Sequence, residues 1–352
     1  MQTFIAKVGK GAKTSKDLTW DEAKQAMGLL IEGAATPAQA GAFLMAMRMK
    51  GESVGELAAF TAVARQYVPP LPGMSGLKLV DVPCYAGKRD TFYAVVGAAV
   101  VAAAAGASVL LHGWEGTPER PGPWAVLERL GIPIDLKPAE ASRALVDSGF
   151  AYLDMAIYHP PLARFLDLRR ELGLRNFFHP VARMINPARA RCQLIGMAHP
   201  PYCDKTIEAL NMLGASRALV MRGVEGEPEL SIASLARFVE LRDGKLVPTA
   251  LHPKDVGLPL GTARDMAGFA PSQREQEAAL LVKILQGEVK GGPRDWVVLN
   301  AAMLLYGSGV TPSMIAGVPL AQHAIDCGAA RDKLRALAQA GAIASQSRLR
   351  AS

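Results

Sequence analysis

Apolar positions fall at helical spacing through the first seventy residues. Thr19-x-x-Glu22 forms a capping-box pattern, its apolar face runs through Ala23, Met27, Leu30 and Ile31, and Gly33 is a stop signal. Thr36-Pro37 places a cap before a proline at the first helical position. That second helix carries Phe43, Leu44 and Met47 and closes near Gly51. Ser53-x-x-Glu56 opens a third helix, through Leu57, Phe60 and Val63. Pro69-Pro70-Leu71-Pro72-Gly73 then breaks the run and reads as a hinge.

Beyond Gly76 short apolar runs alternate with helical ones. Leu77–Val82, Val109–Leu111, Gln193–Met197 and Ala218–Met221 read as strands. Helices are expected from about Thr91, over Pro123–Leu130, Ala141–Ser148 and Leu162–Leu172, and through Ile207–Leu213. Phe238–Leu241 and Lys245–Thr249 flank Asp243-Gly244, a hairpin signal. From Gln273 onward the chain reads as helices over Glu275–Leu285, Ala301–Tyr306, Pro319–Cys327 and Arg331–Gln339. This alternation predicts an α/β fold: a small N-terminal α-helical domain and a larger α/β domain with a mostly parallel central sheet.

The uncharged stretch Ala94–Leu111 reaches the lower limit for a membrane span. It is rich in alanine, and Gly106 divides it, so it reads as a buried helix followed by a strand, with no membrane association. The opening MQTFIAKVGKGAK lacks the apolar core of a signal peptide. Cys84, Cys192, Cys203 and Cys327 form no C-x-x-C pair, consistent with reduced thiols in a cytoplasmic protein. His199 and Cys203 lie four apart, but Pro200-Pro201 argues against a helix presenting both to a metal.

The 352 residues carry a net charge of +7, unevenly placed. Lys7, Lys10, Lys13 and Lys16 give the first sixteen residues +4. Residues 331–352 also carry +4, which leaves −1 between the two ends. Basic ends on a neutral body suit a partner with phosphate groups.

Several loops could carry chemistry. Asp81–Asp90 lies between the first strand and the alanine-rich helix, where main-chain N–H groups and the helix dipole favour an anion. Lys88 and Arg89 add full charges. His112, in the loop 111–122, is a candidate acid, base or donor, although the sequence shows no carboxylate to orient it. Arg164, Arg169 and Arg170 share one helix. Glu225, Glu227 and Glu229 could hold Mg²⁺ and a pyrophosphate, or lie solvated in a surface loop.

The runs EGAATPAQAGAFLMAMRMKGE, HPPLARFLDLRRELGLRNFF, Asn186-Pro187-Ala188, GASRALVMRGVEGEPELS and ARDMAGFAPSQREQEAALLVKILQGEV together resemble anthranilate phosphoribosyltransferases over nearly the whole chain. The resemblance implies a helical domain over 1–72, completed by helices from about 160–185, a large domain over 76–352, and a homodimer formed through the helical domains. It departs at the substrate motifs. The family's G-T-G-G-D becomes Cys84-Tyr85-Ala86-Gly87-Lys88, and N-I-S-T becomes Tyr93-Ala94-Val95-Val96. K-H-G-N-R becomes Leu111-His112-Gly113-Trp114-Glu115. The metal-binding Asp-Glu pair becomes Pro228-Glu229, so Glu229 is a weak remnant and no metal site is expected. Arg169 matches the family arginine that contacts anthranilate. Tyr85, Ala86, Gly87, His112, Gly113 and Arg169 are thus the expected remnants of the substrate cleft.

GKGAKTSKDL, VPCYAGKR, HPPY and GASRALVMRGVEGE are similar to the YbiB-type, or second TrpD-like, paralogues. That likeness implies a homodimer binding DNA or RNA, largely without sequence preference and without a cofactor. Charge suggests Lys7, Lys10, Lys13, Lys16, Lys88 and Arg89 as its phosphate contacts. The alternative expectation is a glycosyl or phosphoribosyl transferase acting on another substrate, with Mg²⁺.

Overall fold

The computed structural model describes residues 1–11 and 14–349. All three capping boxes form, at Thr19–Glu22, Thr36–Gln39 and Ser53–Glu56. They open α2 (Trp20–Ile31), α3 (Pro37–Lys50) and α4 (Val54–Gln66). Ahead of them a short helix, α1 (Gln2–Val8), buries Val8 against this bundle, where the sequence suggested a lysine-bearing arm. Glu56 does more than cap. Its buried carboxylate accepts the Leu18 and Ser53 N–H groups and pairs with Lys50 at 2.7 Å, tying the entry of α2 to α4.

The large sheet has the order β5-β2-β1-β6-β7-β8-β9. Its first five members in that order, β5 (Phe150–Asp154), β2 (Ser108–Gly113), β1 (Leu79–Cys84), β6 (Cys192–Met197) and β7 (Arg217–Arg222), run parallel. The hairpin β8 (Ala236–Arg242) and β9 (Lys245–Leu251) turns at Asp243-Gly244 and adds the antiparallel edge. A two-stranded ribbon, β3 (Gly116–Thr117) with β4 (Arg120–Pro121), folds over the end of β2. The alanine-rich α5 (Ala94–Ala104) is buried all round. It packs beneath α13 (Gly292–Ser308), α14 (Met314–Asp326) and α15 (Ala329–Leu349), with α12 (Arg274–Leu285) and α6 (Trp124–Arg129) beside it. Small side chains let these helices approach: a Cβ on Gly97 would stand 3.0 Å from Leu281. Among the described residues no helix is long and apolar enough to cross a membrane.

On the other face lie α7 (Pro138–Ser148), α8 (Met155–Tyr158), α9 (Pro160–Leu172), α10 (Phe178–Arg183) and α11 (Pro200–Met212). Phe177 and Phe178 stack on Phe60 and Phe165 respectively, and Phe43 meets Phe177 edge-on, so α9 and α10 are bound to the N-terminal bundle. Two local expectations need correction. Pro200 and Pro201 do not break α11; they occupy its first turn, where no N–H partner is needed, with His199 as the cap. Strand β5 has no counterpart among the expected strands, because FAYLD shows little alternation and is buried almost throughout.

β1 pairs with β2 along its length but with β6 only at Val80 and Asp81. Past that point comes Pro83, which has no N–H to continue a ladder. The sheet therefore opens between the carboxyl ends of β1 and β6, where the chain order switches sides, and such a crevice is where an α/β sheet takes its ligand.

Replacing Phe177 by Ala empties a site with three aromatic neighbours. Urea unfolding should show a loss of about 3–5 kcal/mol.

Candidate functional site

The loops after β1, β6 and β7 meet at that opening. The first turns sharply at Gly87, whose φ of +71° and 2.1 Å clearance between a notional Cβ and the Arg120 carbonyl admit only glycine. This turn and the start of α5 expose a row of main-chain N–H groups, as an anion site requires, but protein carboxylates already hold them. Glu227 accepts from Ala86 N at 2.9 Å and Gly87 N at 2.8 Å. Glu225 accepts from Arg89 N, Asp90 N and Thr91 N, and from the Thr91 hydroxyl at 2.8 Å. Glu277 accepts from Tyr93 N and Glu229 from Val95 N.

Glu227 and Glu229 are fully buried, so the acidic loop is not the solvated feature its sequence allowed. Burial raises the Glu227 carboxyl, with Arg183 opposing, and pushes Glu229 up to about 7 against the pull of Lys88. Burial also works on Glu225, but the Arg89 amide, Thr91 and nearby cations outweigh it and hold that group below its usual value. Lys88 is itself fully buried. Its ammonium pairs with Glu229, donates to the Phe92 carbonyl at 2.6 Å, and lies over the Trp296 and Tyr93 rings. It therefore presents no charge to a nucleic-acid phosphate, contrary to expectation.

Beside this filled cradle is an open cleft of about 1,070 Å³, walled by arginines. Arg169, Arg175 and Arg183 converge from α9, the loop after it and α10. Burial lowers the pKa of each, that of Arg175 to about 10, with its neighbours Arg183, Arg169 and Arg120 adding repulsion. Arg169 Nη1 is buried without a partner. His179, buried between them, is held well below its ordinary pKa by burial and by the three arginines, and its Nε2 also lacks a partner. Arg48, Arg120 and Arg222 extend the wall, while Glu52, Asp90 and Glu225 are the acids on it. A site with repelling cations and an imidazole whose Nε2 lacks a partner is matched chemically to an anion.

His112 has a carboxylate beside it, though the two are not hydrogen-bonded. Its Nε2 lies 3.2 Å from Asp81, and its Nδ1 meets Tyr85 OH at 2.8 Å and Tyr158 OH at 3.1 Å. The whole group is buried, with no nucleophile in it, so it ties β1 to β2 and α8. Of the expected remnants, only Arg169 lines the cleft. Tyr85, Ala86, His112 and Gly113 are buried, and Gly87 is covered by Arg120. Trp114 is turned inward to donate to the Tyr85 carbonyl.

The basic N-terminus does not act as one stripe. Lys7 pairs with Glu22 at 2.5 Å; Lys10 and Lys16 are exposed; Lys13 lies outside the described residues. Arg89 is exposed but pairs with Asp90. In the last helix Arg331 and Arg335 both share Asp332. Arg175 and Arg183 carry no mark in the sequence; a run of arginines shows no sign of which ones a fold will bury together.

A Mg²⁺ ion of the kind implied for transferases does not fit these residues. Glu229 is spent on Lys88, proline replaces its acidic neighbour, and no cluster of three metal-ligating side chains exists among the described residues.

The glycosyl transferase family helical bundle domain matches residues 2–68, and the family's a/b domain matches residues 78–331. The chain belongs to this family, on a fold shared with anthranilate phosphoribosyltransferases. It is 36% identical over 343 residues to the anthranilate phosphoribosyltransferase of Anaeromyxobacter sp. (strain K), covering 97% of this chain and 99% of that protein. The Moorella thermoacetica enzyme is also 36% identical, over 338 residues, covering 96% of this chain and 97% of that protein. The crystal structure of anthranilate phosphoribosyltransferase from Thermus thermophilus superposes with a TM-score of 0.84 at 32% identity, covering 96% of this chain and 98% of that one. The Saccharomyces cerevisiae enzyme in complex with PRPP and Mg has a TM-score of 0.81 at 17% identity over 97% of each chain, a likeness of fold alone.

Breaking the buried ion pair from one side, by Lys88→Met or Glu229→Gln, should each cost about 3–5 kcal/mol in urea unfolding. The double variant should cost less than the sum of the two, because neither charge is then left unpaired.

Proposed function

We propose that this protein is a transferase-family member whose arginine-lined cleft takes an anionic substrate, and that its reaction is not the phosphoribosyl transfer to anthranilate named for its relatives. One observation carries the reading. The cleft keeps Arg169, Arg175, Arg183 and His179 with its Nε2 unpartnered, while the neighbouring amide cradle is filled by Glu225, Glu227, Glu229 and Glu277. A pyrophosphate placed in that cradle would meet buried carboxylates, and like charges brought together away from water repel strongly. Arg169, Arg175 and Arg183 of the cleft are ion-paired with no carboxylate among the described residues and suit a carboxylate or a phosphate ester.

A second reading rests on the same wall. As a YbiB-type paralogue acting as a homodimer, the protein would lay a nucleic-acid backbone along the open arginine cleft, with exposed Lys10, Lys16 and Arg89 as further phosphate contacts. The length of the cationic wall favours it: six arginines line one open cleft. Lys88 has no part in this version.

Assayed with phosphoribosyl pyrophosphate, anthranilate and Mg²⁺, the protein should show no phosphoribosyl transfer; measurable turnover would overturn the first reading's exclusion. In a thermal-shift screen of aromatic carboxylates, Arg169→Ala or Arg175→Ala should abolish the shift given by a ligand of the cleft. For the second reading, single- and double-stranded DNA are titrated at several salt concentrations. If roughly six phosphates are neutralised on duplex DNA, log affinity should fall against log salt with a slope of about −5. Absence of binding at low salt eliminates it.

A further inference from the structure

At the opposite end of the sheet, beside the amino ends of β6 and β7, lies a groove of about 700 Å³. It stands a strand's length, about 20 Å, from the arginine cleft. One wall is the hinge 68–71 after α4; the other is the loop 185–191 and the turn 213–216 before β7. Three arginines line it, Arg65, Arg189 and Arg191, and no aspartate or glutamate among the described residues does. Asp81, the acid whose charge reaches Arg65, is buried beneath Gln193 and takes part in the His112 group.

Arg65 is fixed by its own hydrogen bonds, and Arg189 and Arg191 are exposed at the groove's other wall. Arg65 gives Nε and Nη2 to the Met184 carbonyl, at 3.1 and 2.7 Å, which leaves Nη1 without a bond to the described residues. The loop opposite is wound through two left-handed residues, Asn186 at φ 52° and Arg189 at φ 51°. Asn186 fixes the turn by accepting from Ala190 N at 2.8 Å and donating to the Ala190 carbonyl at 2.9 Å. L-residues other than asparagine and aspartate are disfavoured in that region, so the arginine at 189 is held against a local preference for glycine. Strain of this kind, seen in a structure, points toward function.

We propose that this groove is a second anion site, receiving the phosphate group of a small phosphorylated molecule between Arg65, Arg189 and Arg191. Guanidinium forks match phosphate oxygens in pairs, and an anion between Arg65 and Arg189 eases the repulsion between them. The groove is walled by the hinge on one side and by loops of the large domain on the other. A ligand there therefore fastens the hinge to the sheet, at the end away from the cleft.

The test is calorimetry on the full chain with inorganic pyrophosphate as probe. The protein carries Arg169→Ala and Arg175→Ala, so that the cleft does not contribute. Saturable binding should persist in this background and should weaken about tenfold to a hundredfold on adding Arg189→Gly, the loss of one charge-assisted contact. Glycine relaxes the left-handed position, so this variant should unfold at the same denaturant concentration as its parent or a higher one. Weakened binding then reports the lost guanidinium, not a lost fold. Arg191→Ala should weaken binding similarly. No binding in the cleft-altered background, or binding that Arg189→Gly and Arg191→Ala leave unchanged, overturns the proposal. Neither result bears on the cleft reading, which rests on other arginines.

Discussion

The organisation of the ligand end of this molecule depends on where four carboxylates sit, three of them buried and Glu225 partly so. Helix α5 begins, and the loop before it turns, with main-chain N–H groups that have no partner inside their own elements. In this chain Glu227, Glu225, Glu277 and Glu229 supply those partners from two other segments, the loop after β7 and helix α12. Each contact is charge-assisted, and Lys88 and Arg274 neutralise two of the acids from within the core. The loop after β7, the helix α12 and the turn at Gly87 are thereby fastened to one another. Contacts of the kind an external anion would make have become part of the fold's own cohesion.

That substitution explains why the neighbouring arginines stand out. With the amides satisfied internally, Arg169, Arg175 and Arg183 hydrogen-bond to no carboxylate among the described residues, and Glu119 and Glu227 act on them only at a distance. Their depressed pKa values follow first from burial, with the neighbouring arginines adding repulsion. A folded protein keeps such a cluster at some cost to stability unless something outside it benefits, and an anionic ligand is the simplest beneficiary. The cleft lies where the N-terminal bundle and its companion helices meet the carboxyl end of the sheet; the residues on its walls decide what enters.

Much of the architecture is legible in the sequence. Thr19, Thr36 and Ser53 mark helix starts because capping is a local reaction between a side chain and amides three residues away. Asp243-Gly244 marks the hairpin for the same reason. β5 is hidden because a fully buried strand has no alternation to display, and α11 misleads because a proline breaks a helix or begins one according to what precedes it. The site is less legible. Loss of the family's glycines and hydroxyls is visible at Cys84–Lys88 and Tyr93–Val96, and Arg169 can be found by its match. Nothing in the spacing of Glu225, Glu227 and Glu229 says that they reach back across the sheet to residues 86–95.

The sequence by itself therefore determined most of the longer elements, their order and the family likeness, since these follow from periodicity, caps, turn chemistry and matching motifs within a few residues. Only the tertiary structure decided the meaning of the charges. The +7 excess looks, along the chain, like two basic ends. In three dimensions Lys7 is paired with Glu22, Lys88 is buried on Glu229, and Arg331 and Arg335 share Asp332. Lys10 and Lys16 stay exposed, and further unpaired charge lies in arginines scattered between positions 48 and 222. A charge acts through its distance to other charges and to water, and those distances are set by strands and helices far apart in the chain.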